Sequence, residues 1–180
     1  MSPKPYDVRL DIPARAYLNH QIIRVAEQRN DIRRSKEEVF SSSPYANQGL
    51  DPMSYSLLGG PAQIVSLLYC LIVVPKEILD YPEDHFLFKR LDELSLNKAF
   101  QITTFPPGFD RSPSYWLLRA LRNSVAHVLY EFDEHSGMHF WTDKNPQWEA
   151  HATLDGLSFF LSTFGKELAN TLLLIKRQPK

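Results

Sequence analysis

Hydrophobic residues recur along most of the chain at helical spacing, three to four positions apart. The most apolar stretch covers residues 57–74, and Gly59, Gly60 and Pro61 interrupt its first third. The uninterrupted part, residues 64–74, is too short to span a bilayer. Because this part is apolar on nearly all sides, it predicts a central helix enclosed by other helices.

Amphipathic patterns surround this segment and predict four further helices, over residues 13–38, 84–98, 113–130 and 154–175. In the first of them Leu18, Ile22 and Val25 form the predicted apolar face. The third has the clearest start, because Ser112 followed by Pro113 is typical of an N-cap and a first helical turn.

The hydrophobic period changes after the third of these helices. Tyr130, Phe132, Met138 and Phe140 alternate around a Ser-Gly pair, which predicts a short β-hairpin at residues 131–143. Segments rich in Pro, Gly, Ser and Asn predict loops at 41–52 and 103–112. The chain is therefore predicted as a single all-α domain over residues 1–180, a four- to five-helix bundle with one short β-hairpin. Residues 1–13 are predicted to be a flexible N-terminal segment.

Composition adds limits on function. The 180 residues are 43% hydrophobic and 23% charged, which is typical of a globular domain. With 20 basic and 21 acidic residues the net charge is −1, so any nucleic-acid contact must come from a local patch. The single cysteine excludes a disulfide framework and a cysteine-based zinc site. No apolar signal-peptide core occurs near the N-terminus, and we predict a cytoplasmic protein that does not enter the membrane.

Common catalytic motifs are missing from the sequence. It contains neither a glycine-rich phosphate loop nor a Gly-x-Ser-x-Gly turn. His135 and His139 lie around the predicted hairpin turn, where a four-residue spacing does not bring metal ligands together. Although Asp133, Glu134 and Asp143 are close in sequence, solvent-exposed histidines are the favoured interpretation. We predict no metal ion and no cofactor.

Residues 121–127, Leu-Arg-Asn-Ser-Val-Ala-His, carry the most informative pattern. They resemble the Arg-x(4–6)-His motif of the HEPN superfamily (higher eukaryotes and prokaryotes nucleotide-binding domains). In that family a polar residue often follows the arginine, as Asn123 follows Arg122, and the motif lies on an amphipathic helix late in an all-α bundle. Residues 67–77 also look like the central helix of a HEPN subgroup found on plasmids and in defence loci. The resemblance covers about residues 14–175. Arg15 and His20 fit the spacing too, but no polar residue follows that arginine, and we interpret the match as accidental.

The resemblance implies a metal-independent endoribonuclease of the toxin or defence type. His127 would take the proton from the RNA 2′-hydroxyl, and Arg122 would hold the phosphate on which charge develops. Asn123 would orient His127 through a hydrogen bond or contact the phosphate. Glu77 could position Arg122, although a solvated charge at a helix end is the simpler interpretation. The implied partners are RNA, a second copy of the chain, and an antitoxin or regulatory protein.

The helical spacing of the motif adds a geometric constraint. At 100° per residue, Arg122 and His127 are separated by about 140° around the helix axis. One straight helix does not aim both side chains at one point unless the arginine reaches round. HEPN proteins commonly dimerise with two motifs facing each other, so the angle and the resemblance both favour a composite site at a homodimer interface.

Two alternatives remain at this point. His127 lies at the edge of the apolar stripe, so it could be a core histidine, with Arg122 on a solvated face. The chain could also be a HEPN module without catalytic activity, serving binding or dimerisation in a defence or stress system.

Overall fold

A computed structural model of the protein describes residues 11–42, 61–75, 81–105, 108–133, 137–142 and 147–177. In these ranges the chain forms six α-helices and one antiparallel sheet. The helices are α1 (Asp11–Gln28), α2 (Arg33–Ser42), α3 (Pro61–Leu68), α4 (Phe86–Glu93), α5 (Pro113–Ala126) and α6 (Leu154–Arg177). The strands are β1 (Gln101–Thr104), β2 (Tyr130–Asp133), β3 (Gly137–Thr142) and β4 (Trp148–Thr153), in the order β1-β4-β3-β2.

The predominance of helix is confirmed, but the expectation of a single hairpin is wrong. Strands β2 and β3 are the predicted hairpin, with Phe132 opposite Met138 in register. Two further strands complete a four-stranded sheet. Strand β4 follows β3 and pairs with it. Strand β1 comes from a distant part of the chain and pairs with β4. It begins just before the predicted loop at 103–112. One face of the sheet packs on the helices through Met138, Phe140 and Trp148, which are buried.

The central apolar segment is helical and largely buried, as predicted. Helix α3 continues directly into a π-helical turn, Tyr69–Val73, whose wider turn allows Leu71, Ile72 and Val73 to be buried consecutively. The helices do not enclose it on every side, since the side chain of Tyr69 is 50% exposed.

The helix predicted over residues 13–38 is two helices. Helix α1 ends at Gln28 and α2 begins at Arg33, with Asn30 between them at φ 60°. This left-handed conformation breaks the helix, and asparagine is one of the few residues that adopt it readily.

Helix α1 packs through a different face from the predicted one. Leu18, Ile22 and Val25 are 56%, 65% and 42% exposed, so the apolar stripe that was expected to face the core lies on the surface. The helix instead contacts α6 and the π-helical turn. Tyr17 contributes to this packing: a Cβ at Gly165 of α6 would lie 2.7 Å from the Tyr17 ring, so the glycine permits the close approach.

Several predictions concern residues outside the described ranges. The N-terminal segment 1–13 was predicted to be flexible. Its residues 1–10 lie outside the described ranges, and residues 11–13 begin α1. The predicted loop at 41–52 lies outside from residue 43 onward, and Glu77 is also outside. Among the helices that are described, none has both the length and the apolar character needed to cross a bilayer.

Buried His20 predicts a measurable loss of stability in acid. Burial, together with the nearby Arg24 cation, lowers the pKa of His20 from its ordinary value. The unfolded chain therefore binds a proton at His20 at a higher pH than the folded chain does. The free energy of unfolding should consequently decrease as the pH falls from about 6.5 toward the lower folded-state pKa.

We expect His20→Gln to reduce this dependence, as measured by urea unfolding at pH 7 and pH 5. Burial also lowers the pKa of His85, but His85 is present in both proteins, so their difference isolates His20. Equal losses of stability in the two proteins would contradict this assignment.

Candidate active site

Helix α5 begins at Pro113, as the sequence predicts, but its first turn is capped from another helix. The Ser112 side chain makes no capping hydrogen bond. Instead, the backbone N–H of Ser114 donates to Oδ1 of Asp92 in α4 at 2.7 Å. A carboxylate at this position satisfies one of the N–H groups that a helix start leaves unpaired. The bond also fixes α5 against α4.

The two sides of α5 differ sharply in burial. Its buried side contributes to the core through Ser114, Leu117, Leu118, Ala120, Leu121, Ser124 and Val125. Arg119 and His127 are exposed, and Arg122 and Asn123 are half-buried. All the predicted site residues on this helix therefore lie on its solvent side. Arg122 and His127 occupy opposite edges of that side, about 140° apart.

Helix α5 ends at Ala126, four residues before the predicted end, in a left-handed C-terminal cap. Val128 has a φ of 58°. The N–H of Leu129 donates to the Ser124 carbonyl at 2.8 Å, and the N–H of Val128 donates to the Val125 carbonyl at 3.3 Å. These two bonds form a Schellman motif, in which glycine usually occupies the left-handed position. The motif reverses the chain so that β2 can begin at Tyr130.

Two hydrogen bonds attach this helix end to strand β3. The hydroxyl of Ser124 donates to the Trp141 carbonyl at 2.6 Å. The N–H of Trp141 donates to the Leu129 carbonyl at 3.1 Å. His127, the C-cap residue, therefore stands on a helix end that the sheet holds in place.

The structure brings two of the three motif side chains together. Nη1 of Arg122 donates to Oδ1 of Asn123 at 3.1 Å. His127 is tied to Asn123 through the backbone, since its N–H donates to the Asn123 carbonyl at 3.1 Å. In the part of the chain that the structure describes, the imidazole of His127 has no hydrogen bond or ion pair. Asn123 thus orients the guanidinium rather than the imidazole, and the reading of His127 as a core histidine is wrong because His127 is exposed.

Two further histidines lie on the solvent face of the sheet. His139 lies between two carboxylates, with Nδ1 3.3 Å from Glu131 and Nε2 3.0 Å from Glu149. His151 extends toward Asp133, at 3.5 Å. Within the described ranges no three His, Cys, Asp or Glu side chains are arranged to hold a metal ion. His135 lies outside those ranges.

A small apolar pocket borders the N-terminal half of α5. Its lining includes Leu71, Phe88 and Phe164, with Tyr81 and Arg119 among its few polar residues. Burial raises the pKa of Tyr81 to about 12. None of the three motif residues lines the pocket.

Val128 predicts a stabilising substitution. A β-branched residue at positive φ is strained, and the left-handed conformation costs roughly 1–2 kcal/mol for a residue with a Cβ. The side chain of Val128 is 68% exposed, so little packing is lost on its removal. We expect Val128→Gly to raise the free energy of unfolding by about 1 kcal/mol in urea unfolding. Val128→Ala, which keeps a Cβ, should gain less. Destabilisation by the glycine would mean that the cap is not strained.

The residues that position α5 were not predicted from the sequence. Asp92 carries no local signal, because its partner Ser114 lies on a separate helix. A structural role for Ser124 could have been predicted, since it is a small polar residue in an otherwise apolar stripe on the buried side of the helix. A hydroxyl in such a place must find a hydrogen-bond acceptor.

One comparison with known proteins bears on this site. The model of a family described as HEPN pEK499 p136 matches residues 3–175. The match includes all of α5 and its motif. No curated protein and no solved structure shows a significant match to the chain.

Proposed function

Because the chain belongs to the HEPN family described as pEK499 p136, we propose that it is a metal-independent endoribonuclease of the toxin or defence type. HEPN membership confirms the resemblance based on residues 121–127. One observation supports the finer proposal. Helix α5 presents Arg122, Asn123 and His127 on its solvent side, and the His127 imidazole has no partner among the described residues.

The proposed reaction is an internal transfer within the RNA. His127 accepts the proton of a 2′-hydroxyl, a role for which imidazole is suited because histidine titrates near neutral pH. The freed oxygen attacks the adjacent phosphorus, and the bond to the 5′-oxygen breaks. Arg122 stabilises the added negative charge with its planar guanidinium, which Asn123 orients. The departing 5′-oxygen takes up a proton, which leaves a 2′,3′-cyclic phosphate and a 5′-hydroxyl.

A homodimer would complete this chemistry. One imidazole that removes a proton cannot at the same moment supply one to the leaving oxygen. A second copy of the chain brings a second His127, and it also removes the difficulty that Arg122 and His127 lie about 140° apart on one helix. We therefore propose that the solvent sides of two α5 helices face each other across the RNA-binding groove.

The products of cleavage test this function. Purified protein should cleave single-stranded RNA in the presence of EDTA and leave 2′,3′-cyclic phosphate and 5′-hydroxyl ends, detected by mass spectrometry. The matching DNA, which lacks the 2′-oxygen, should stay intact. Cleavage that needs added Mg²⁺, or that leaves 3′-hydroxyl ends, would contradict the mechanism. Failure to cleave any RNA would favour a HEPN module without catalytic activity.

Mixing two inactive variants tests the composite site. Arg122→Ala and His127→Ala proteins should each be inactive alone. When the two are mixed and allowed to exchange subunits, part of the activity should return, because a mixed dimer brings Arg122 of one chain beside His127 of the other, although it lacks the second His127 that protonates the leaving oxygen. A site built within one chain would stay inactive in the mixture, and a monomer in analytical ultracentrifugation at micromolar concentration would also contradict the dimer.

The toxin or defence assignment carries two further implications. An RNase that acts on cellular RNA would work in the cytoplasm. It would also need an antitoxin or regulatory protein that keeps it inactive, and such a protein should co-purify when both are expressed together.

A further inference from the structure

We infer that Arg119 binds the phosphate next to the one that is cleaved, which makes it a substrate-positioning residue one turn before the motif. This inference rests on the proposed function and extends it to a residue outside the Arg122–His127 motif. It gives α5 a second contact with the backbone of a single RNA strand.

The charge of α5 supports this assignment. The helix contains two arginines and no acidic residue, although the whole chain has a net charge of −1. Among the other exposed arginines in the described part of the chain, only Arg33 and Arg90 pair with carboxylates, those of Glu37 and Glu93 respectively. Arg119 is exposed and forms no ion pair within the described ranges. Its charge is therefore available to an anionic ligand.

Neighbouring aromatic rings hold the Arg119 side chain in place. Nη1 donates to the hydroxyl of Tyr115 at 3.2 Å, and Cζ lies 5.6 Å from the centre of the Trp116 ring. The Tyr115 ring in turn packs edge-on against Phe88 of α4, with the ring centres 5.2 Å apart. A guanidinium held this way loses less conformational freedom when it binds a ligand. Its other four N–H groups have no partner among the described residues and can bind a phosphate.

The position of Arg119 relative to the motif fits a neighbouring phosphate. On the helix it lies about 60° from Arg122 and about 80° from His127, between the two. Along the axis it precedes Arg122 by about 4.5 Å and His127 by about 12 Å. Because Arg119 precedes Arg122 on the same helix, a strand whose reacting phosphate lies at Arg122 reaches Arg119 with a neighbouring phosphate. Arg119 contacts the backbone and not a base, so its effect should not depend on sequence.

The main test compares Arg119→Gln with wild type on one single-stranded RNA. The variant should raise KM about tenfold and leave kcat unchanged, because a charge-assisted contact to a non-reacting phosphate is lost. Binding is measured by fluorescence anisotropy in a His127→Ala background, which prevents cleavage. There the slope of log affinity against log salt should decrease in magnitude by about 0.7. Arg34→Gln, an equal charge change at an exposed site on α2, should leave both quantities unchanged.

Two further variants separate positioning from charge alone. Arg119→Lys keeps the charge but not the planar fork. Its salt slope should equal that of wild type, whereas its KM should lie between the values of wild type and Arg119→Gln. Tyr115→Phe removes the hydroxyl that holds Arg119, and it should raise KM in the wild-type background but not in Arg119→Gln. Independent effects of the two substitutions would exclude positioning by Tyr115 and overturn the preorganised contact.

The outcomes distinguish this inference from the proposed function. If wild type cleaves RNA and Arg119→Gln has the same KM and salt slope, the inference is wrong and the function stands. A fall in kcat at unchanged KM would also overturn it, because it would assign Arg119 to the reacting phosphate. If wild type neither binds nor cleaves RNA, both are wrong.

Discussion

Replacing His127 by alanine should reduce RNA cleavage by about 10²–10⁴-fold, the usual contribution of a positioned acid–base group. The protein should stay folded, because His127 is exposed and its side chain has no hydrogen bond or ion pair with any described residue. The rate is measured with a labelled single-stranded RNA in EDTA. Added imidazole should restore part of the activity of His127→Ala, since a small base can enter the space left by the side chain.

Replacing Arg122 should also reduce RNA cleavage, but through the loss of a phosphate ligand and not of a base. Arg122→Ala removes the phosphate ligand and should lower activity to a similar extent, and Arg122→Lys should recover only part of it because the planar fork is lost. His139→Ala is the control, as His139 lies on the sheet between two carboxylates. Activity retained in His127→Ala would exclude this residue as the base.

Truncating Leu68 to alanine should lower the free energy of unfolding by about 2–5 kcal/mol, the range measured for such core leucines. Leu68 is 0% exposed and lies where α3 enters the π-helical turn, so its truncation leaves a cavity in the core. This loss is a large fraction of the roughly 5–15 kcal/mol that stabilises a typical domain.

The adjacent Tyr69 provides the control for Leu68. Its side chain is half-exposed, so Tyr69→Ala should cost much less than Leu68→Ala. Both are measured by urea unfolding with circular dichroism. If Leu68→Ala cost less than about 1 kcal/mol, the central helix would not be where the structure puts it.

Helical periodicity predicted the helices better than their orientation. The spacing of Leu18, Ile22 and Val25 correctly indicated a helix, but the helix packs through its other side, where Tyr17 and His20 lie. Periodicity shows that a face is apolar, and it does not show which neighbour covers it. A tyrosine and a histidine at core positions carry a weak hydrophobic signal, so the more apolar stripe was chosen.

The sheet was underestimated for a different reason. Strand β4 has a period of two in Trp148, Ala150 and Ala152, but alanine is a poor strand former and weakens the signal. Strand β1 has only four residues, and its partner lies far along the chain. No local pattern can reveal a pairing of that kind.

The residues of the candidate site were easier to identify from the sequence than the contacts between their side chains. Arg122, Asn123 and His127 were identified from their spacing and from a family resemblance, and they lie within the range that the HEPN family model matches. The contact of Asn123 with Arg122 instead of His127 depends on rotamers, which spacing does not determine. Arg119 carries little signal in the sequence, because neither it nor its partner Tyr115 belongs to the Arg-x(4–6)-His motif.

The strand order has a consequence for the order of folding. Helix α5 and strands β2, β3 and β4 follow one another along the chain with only a few residues between them. Strand β3 pairs with β2, and β4 pairs with β3. Strand β1 precedes this unit in the sequence but pairs with its last strand, β4, where Gln101 lies opposite His151. Closing a long loop costs more entropy than closing a short one, so we expect β1 to join the sheet last. During synthesis the sheet cannot be completed until β4 has left the ribosome, so β1 stays unpaired until most of the chain has been made.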